Sequence, residues 1–302
     1  MKLLVFDVGG TEIKYAIVED ALTITEKGSL PTPADGFDRF LDLIDSVYRS
    51  YADSVEGIAM ALPGPVDVQR GEVGNCGAMK YPHPKEVAAL LEERCGCPVV
   101  LENDGKAAAL AEHHYGSLQG CTNAAVFLIG TGVGGGLILN GEILRGIHHT
   151  AGEFSFLNTE ASSYRDYGQI LGNSCSTAYL LNQYRVRSGT GETADGIGFF
   201  RRLPEDPHAK EALNDLCANI AVQIYNLSIL LDLEKVAIGG GISQQTIVID
   251  TIKAKFEEVR RDSFTGKIRF PIHTEIVPCV FRNDANLIGA FLTYQESQKR
   301  PE

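Results

Sequence analysis

The stretch from Ala124 to Gly141, Ala-Ala-Val-Phe-Leu-Ile-Gly-Thr-Gly-Val-Gly-Gly-Gly-Leu-Ile-Leu-Asn-Gly, constrains the fold of this chain more than any other. An apolar run rich in β-branched residues enters a loop with five glycines. A second apolar run leaves it and ends in Asn140-Gly141, a strong hairpin signal. The spacing Gly130-x-Gly132-x-x-Gly135 also fits a dinucleotide-binding fingerprint, with Glu153 near the distance of that motif's ribose-binding acid. That fingerprint needs a helix directly after the glycines, whereas Leu137 to Asn140 is short, aliphatic and closed by a turn. A β-hairpin that grips phosphate is the better expectation, because glycines without Cβ let successive backbone N–H groups converge on an anion.

The same device occurs near the start of the chain. Leu3 to Asp7 is an apolar strand, Gly9-Gly10-Thr11 a turn, and Ile13, Tyr15 and Ile17 alternate with Lys14 and Ala16 in a second strand. An aspartate at the end of a central strand, followed by glycines, can set a carboxylate beside a phosphate-bound Mg²⁺; the same residues also read as a plain tight hairpin. Val55 to Leu62 is a strand that Pro63-Gly64-Pro65 stops abruptly. A rigid turn at a strand's carboxyl end is where open α/β sheets hold ligands, and it is also ordinary punctuation. Val99 to Asp104 is a strand ending in polar residues, followed by an alanine-rich helix from Gly105 to Tyr115. Asp104 stands where an N-cap belongs, a role worth about 0.5–2 kcal/mol. Its other reading is a general base that takes a hydroxyl proton during phosphoryl transfer, with Asn103 hydrogen-bonding neighbouring hydroxyls. The two roles do not exclude each other.

Phe37, Phe40, Leu41, Ile44, Val47, Tyr48 and Tyr51 mark an amphipathic helix over 36–52 with Asp35 as its cap. His149 and Glu153 are four apart, but Gly152 between them and the lack of a third ligand argue against a metal pair. Residues 158–175 and 186–206 read as excursions from the core. A long buried helix follows through Leu213 to Leu231, then a strand over 235–238, a third glycine loop at Gly239-Gly240-Gly241, a helix over 246–261, an extended segment over 270–280 and a terminal helix over 284–298. No Walker A sequence occurs, so a nucleotide has to be held by the three glycine loops.

With 302 residues the chain can form two lobes or one large α/β domain. A net charge of -12 argues against a nucleic-acid surface and against docking on anionic membranes. The longest apolar tract, 218–233, is broken by Asn219, Gln223, Asn226 and Asp232, so it reads as a buried helix. Met1-Lys2 runs straight into a strand, so no signal peptide is expected. Seven scattered cysteines suit reduced thiols in a cytoplasm, and Cys95-Gly96-Cys97 lacks the second pair a zinc site needs.

Asp7-Val-Gly-Gly-Thr11, Glu102-Asn-Asp104, Gly130-Thr-Gly-Val-Gly-Gly-Gly136, Ala151-Gly-Glu153 and Gly239-Gly-Gly241 occur in the order found in the ROK family of sugar kinases, and the chain resembles that family, within the actin-like ATPase superfamily, over nearly its whole length. The resemblance implies an α/β fold of two ribonuclease-H-like lobes with an interlobe cleft for ATP and sugar. The expected lobes are 1–117, rejoined by 284–302, and 118–283. It implies that Asp7 contacts Mg²⁺ through water, that Gly9, Gly10, Thr11 and Lys14 with Thr131 and Gly132 hold the phosphates, and that Gly240 and Gly241 lie against the adenosine. Asp104 would be the general base, Asn103 and Glu153 sugar ligands, and Gly64 a backbone wall of the sugar site. A small-molecule sugar partner and a homodimer are implied; nucleic acid and membrane are not.

The departures carry as much as the matches. The family usually follows Ala-Gly-Glu with a glycine-histidine pair and a cysteine-rich zinc loop, whereas here Ser155-Phe156 replace the histidine and only Cys175 remains of the thiolates. A zinc-free protein is expected. Gly105-Lys106 stands where the family usually has Ala-Asn, and Lys106 either points into solvent or faces phosphate. Loss of the histidine, with Phe154 and Phe156 able to stack on sugar faces, resembles the β-glucoside kinase branch, which phosphorylates the 6-hydroxyl of the non-reducing glucose. Within the kinase class the alternative is a hexose or N-acetylhexosamine 6-kinase acting on glucose, N-acetylmannosamine, allose or fructose. Rivals from other classes are a ROK transcriptional regulator, for whose helix-turn-helix no room precedes Leu3, and a catalytically silent sugar sensor, against which Asp7, Asn103 and Asp104 speak. Metal analysis of the purified protein is expected to find no stoichiometric zinc.

Overall fold

The computed structural model describes residues 1–75, 81–159, 165, 167–189 and 195–299. The chain divides into two compact units: Met1–His114 with Ile143–Gly152 and Asp284–Glu302, and Tyr115–Glu142 with Glu153–Asn283.

The first unit contains β1 (Lys2–Val8), β2 (Glu12–Glu19), β3 (Thr23–Pro31), α1 (Phe37–Arg49), β4 (Ile58–Leu62), the small pair β5 (Val66–Asp67) and β6 (Glu72–Val73), α2 (Val87–Cys95), β7 (Val99–Asn103) and α3 (Asp104–Tyr115). Its sheet has the order β3-β2-β1-β4-β7. β1 to β3 form an antiparallel meander, and β4 and β7 run parallel to β1. Because β1 is central, Leu3, Leu4, Val5 and Phe6 are all fully buried. Successive side chains of β1 serve opposite faces. Leu4, Phe6 and Val8 pack with Phe40, Ile44 and Leu91 of the α1–α2 layer, whereas Leu3 and Val5 pack with Ala107 of α3 and with Leu287 and Phe291.

The second unit contains β8 (Ala124–Ile129), β9 (Val133–Leu139), β10 (Glu142–Ile143), α4 (Leu171–Ser174), α5 (Thr177–Ser188), α6 (Gly196–Arg202), α7 (Pro207–Leu231), β11 (Lys235–Gly239), α8 (Thr246–Asp262), α9 (Phe264–Lys267) and β12 (Glu275–Pro278); α10 (Ala285–Lys299) returns to the first. The second sheet has the order β10-β9-β8-β11-β12, with β8 and β9 antiparallel and β11 and β12 parallel to β8. Both units therefore carry one strand order, with an antiparallel hairpin on one side of the central strand and two parallel strands on the other, the arrangement of a ribonuclease-H-like lobe. No helix among the described residues is long and apolar enough to cross a membrane.

Several expectations need correction. Asp35 does not cap α1: Gly36 occupies the cap with φ 134° and no side-chain bond, while Asp35 pairs with Arg39 at 3.6 Å. Part of the expected excursion over 186–206 is helical, in the end of α5 and in α6, where Asp195 accepts from the Gly198 N–H. Residues 143–152 belong to the first unit because Arg145 and His149 are held there by Glu102 and Asp67.

α10 lies very close to α3, since a Cβ on Gly289 would stand 1.8 Å from the Ala107 carbonyl oxygen. Gly289→Ala must push the two helices apart. A loss of roughly 1–3 kcal/mol is expected from overpacking, measured by urea unfolding.

Candidate active site

Backbone register fixes where the chemistry of the first unit emerges. Asp7 pairs with Ala61, and Ala61 with Glu102, so the carboxyl ends of β1, β4 and β7 lie side by side. The turns Gly9–Thr11, Pro63–Pro65 and Asn103–Asp104 leave from that one edge. The first turn is braced by the Gly9 N–H to Glu12 O (2.9 Å), the Thr32 hydroxyl to Gly9 O (2.6 Å) and the Thr32 N–H to Thr11 O (3.0 Å). Gly9 and Thr11 themselves are exposed.

Asp7 is 13% exposed; its Oδ1 accepts from the Asn286 amide at 2.9 Å, and its Oδ2 lies 3.9 Å from the Lys14 ammonium. Burial pushes its carboxyl above the ordinary value, and Asn286 and Lys14 offset this only in part. An under-compensated carboxylate at a glycine turn is a fitting partner for a cation. Among the described residues no group of three or more His, Cys, Asp or Glu side chains is placed to hold a metal. A hard cation bound mainly by phosphate and water, with one carboxylate behind it, fits this donor set better than a protein cage.

At the β7–α3 corner the cap is Asn103 and not Asp104. Asn103 Oδ1 accepts from the Lys106 N–H at 3.0 Å, the geometry of an N-cap to the third helical residue. Asn103 Nδ2 donates to Gly64 O at 3.0 Å and to Asp104 Oδ1 at 3.2 Å, and Asp104 Oδ1 also accepts from the Gly105 N–H at 2.7 Å. Gly64, at φ 93°, adopts a backbone conformation that favours glycine and turns its carbonyl toward Asn103. Gly64, Asn103 and Asp104 thus form one hydrogen-bonded group. Lys106 is fully buried, so it does not point into solvent as one reading expected.

In the second unit, Ile129 pairs with Val133, and the Gly130 N–H donates to Gly132 O at 2.9 Å. The glycine loop is therefore only three residues long, with Thr131 and Gly132 exposed at its tip. Gly134 to Gly136 lie within β9. A Cβ on Gly135 would meet the Phe154 ring at 2.4 Å, so this glycine makes room for an aromatic side chain. Phe154 is buried and stacks on Phe127 with ring centroids 5.4 Å apart, which makes it a core residue unavailable to a sugar face. Phe156 is 65% exposed. Gly240, at φ 88°, packs so tightly on the end of β8 that a Cβ would stand 2.3 Å from Ile129 O, which brings the Gly240-Gly241 turn beside the Gly130–Gly132 loop. Glu153 is half-buried and opens the short turn Phe154–Phe156, after Gly152 at φ 80°. The Cys175 thiol is fully buried and pushed up to about 12 by that burial, so it is a protonated core group.

Sequence reasoning missed Asn286 and Arg145. Both lie far along the chain from their carboxylate partners and match no local motif.

Two ribonuclease-H-like units, each with a glycine hairpin at the end of its central strand, define the actin-like ATPase fold. Within that class the chain belongs to the ROK family, whose profile matches residues 4–297. It is 29% identical over 308 residues to the beta-glucoside kinase of Listeria monocytogenes serovar 1/2a, covering 100% of both chains. A ROK family protein from Streptococcus pneumoniae TIGR4, solved in complex with sucrose, superposes with a TM-score of 0.85 at 29% identity over 99% of this chain and 100% of that one. A ROK family glucokinase from Streptomyces griseus, solved with glucose and AMPPNP, gives 0.84 at 25% identity over 98% and 100%. These relatives place the chain among the carbohydrate kinases of the family.

The raised carboxyl of Asp7 sets a sign for stability. A group whose folded value lies above its unfolded value favours the fold when protonated, and that contribution is lost as pH rises through the folded value. Asp7→Asn is expected to unfold at or above the wild-type temperature at about pH 8 and to lose that advantage at about pH 4, while turnover falls. Thermal denaturation at both pH values checks the sign.

Proposed function

We propose that the protein is an ATP-dependent sugar kinase that phosphorylates the 6-hydroxyl of a glucosyl unit, with a β-glucoside or cellobiose-like disaccharide as its substrate. The observation that carries the reading is the assignment of the α3 cap to Asn103, with the Asp104 carboxylate oriented by two donors at the carboxyl edge of the sheet. A carboxylate so placed acts as general base. It takes the proton of the sugar hydroxyl as that oxygen bonds to the γ-phosphorus of ATP and the bond to the β-phosphate oxygen breaks, a contribution of about 10²- to 10⁴-fold.

Asn103, Glu153 and the Gly64 backbone hold the sugar. Gly9, Gly10, Thr11 and Lys14, with Thr131 and Gly132, hold the phosphates through backbone N–H groups, hydroxyls and one ammonium. Gly240 and Gly241 lie against the adenosine; a mainly apolar cavity of about 520 Å³, lined by Leu203, Leu213, Gln245 and Ile247, begins four residues after Gly241. Asp7 would hold Mg²⁺, by way of water, and a bound ion would supply neutralisation of charge on the transferring phosphoryl group.

The disaccharide part rests on the absence of the histidine after Glu153, on the β-glucoside kinase relative and on the sucrose complex of the Streptococcus relative. Stacking by Phe154 no longer supports it. A free hexose is the second reading, favoured by the glucose-bound Streptomyces relative. A cytoplasmic location is part of the same proposal and rests on the seven scattered cysteines of the sequence.

Coupled ADP release with Mg-ATP, run against glucose, N-acetylmannosamine, fructose, allose, cellobiose and gentiobiose beside Asp104→Asn, tests the substrate class and the base, and NMR of the product tests the 6-position. Turnover on the disaccharides that falls about 10²- to 10⁴-fold in the variant is expected. Turnover on a free hexose alone would reject the disaccharide assignment, and none on any sugar would leave a sensor.

A further inference from the structure

One residue before the catalytic corner lies a fully buried carboxylate, Glu102, that the proposed chemistry does not use. Two guanidinium N–H groups of Arg145 converge on its Oε2, Nη2 at 2.6 Å and Nε at 3.0 Å, and the Thr293 hydroxyl approaches the same oxygen at 3.5 Å. Its other oxygen, Oε1, accepts from the backbone N–H of Asn103 at 2.9 Å. Asn103 in turn donates to Asp104 and caps α3. The path from Arg145 to Glu102, Asn103 and Asp104 runs through direct hydrogen bonds with only buried or part-buried groups along it. No flexible surface side chain interrupts it.

Arg145 lies in a segment that folds on itself, with the Ala151 N–H donating to Arg145 O at 3.2 Å. A second anchor, His149 Nε2 to Asp67 Oδ2 at 3.3 Å, ties the same segment down. Removal of Arg145 therefore leaves the segment attached by His149. The loss it causes falls on Glu102 and on the peptide that Glu102 holds.

We infer that Arg145 is a positioning residue for phosphoryl transfer, acting through Glu102 on the Asn103 peptide to fix the aim of the Asp104 carboxylate. This rests on the reading of Asp104 as the base. Charge-assisted hydrogen bonds are short and directional, and a misplacement of about 1 Å in a reacting group can lower the rate about 10²-fold. A small cavity of about 250 Å³ lies beside the ion pair, lined by Val68, Gln69, Arg145, Thr293, Glu296 and Ser297. It is large enough for a guanidinium ion.

The test compares kcat, KM for ATP and thermal midpoint in wild type, Asp104→Asn, Arg145→Ala and the charge-free pair Glu102→Gln/Arg145→Met. Removing one partner of a buried pair strands a charge, whereas removing both does not, so the pair variant keeps the measurement independent of folding. Expected is a fall in kcat of about 10²-fold in Arg145→Ala and in the pair variant, with KM for ATP within about twofold of wild type. Guanidinium chloride at low concentration should restore part of kcat in Arg145→Ala alone, by refilling the site beside Glu102. Wild-type kcat in a folded pair variant would overturn the inference, as would a loss confined to the thermal midpoint. If neither variant folds, Arg145→Lys, which keeps the buried charge paired, decides by the same kcat comparison. Wild-type turnover in Asp104→Asn would instead remove the base assignment, so the two failures are distinguishable.

Discussion

Backbone hydrogen bonds lock Asp7 of β1 beside Ala61 of β4, and Ala61 beside Glu102 of β7, and that alignment decides where every chemical group of the first unit emerges. A slip of one residue in either pairing would exchange the side chains packed toward α1 and α2 with those packed toward α3 and α10. It would also withdraw Asp7 or Asp104 from the shared edge. The register is held by side chains on both faces of the sheet, Phe6 and Met60 toward α1 and α2, Val5 and Ala59 toward α3 and α10. Packing thus specifies the site indirectly, by permitting only one alignment of the strands that carry it.

The unit tolerates an unusual density of buried charge in β7 and α3. Glu102, Lys106 and Glu112 are all fully buried, although such residues are seldom so unless partnered. For Glu102 the compensation is visible: four donors, counting the Asn103 peptide and the Thr293 hydroxyl, surround one carboxylate. A pair of this kind contributes little net stability compared with apolar residues of the same volume, because desolvation offsets most of the attraction. What it supplies is direction, since each bond constrains an angle as well as a distance. Asp7 shows the same tension, a carboxylate held at 13% exposure where burial opposes its charge.

The two units repeat one topology but use their hairpins differently. In the first, Thr32 of the neighbouring segment braces the turn, so its peptide groups are ordered before any ligand arrives. In the second, the loop is short, Gly135 of its return strand admits Phe154, and Gly240 after β11 approaches Ile129. Glycine in the first hairpin serves the turn. In the second, Gly135 serves packing.

Local pattern made the two hairpins, the buried helix α7 and the strand ends at Asp7, Leu62 and Asn103 legible from the sequence, because alternation, apolar periodicity and turn residues act over a few positions. The glycine stretch was read as one phosphate loop, yet only Gly130 to Gly132 form the loop, since strand pairing with β8 absorbs the rest. The order of the motifs made the family and the candidate site legible as well. The cap on α3 was assigned to Asp104 and belongs to Asn103, a difference of one residue that depends on Gly64, 39 positions away. Phe154 was read toward a ligand and lies in the core, and Lys106 was left between solvent and phosphate and is buried. The sequence by itself determined the elements, their order and the residue types at the strand ends. Only the tertiary structure decided that Arg145 joins Glu102 across 43 positions and Asn286 joins Asp7 across 279, because such partners are selected by where packed elements bring them and no local period encodes that meeting.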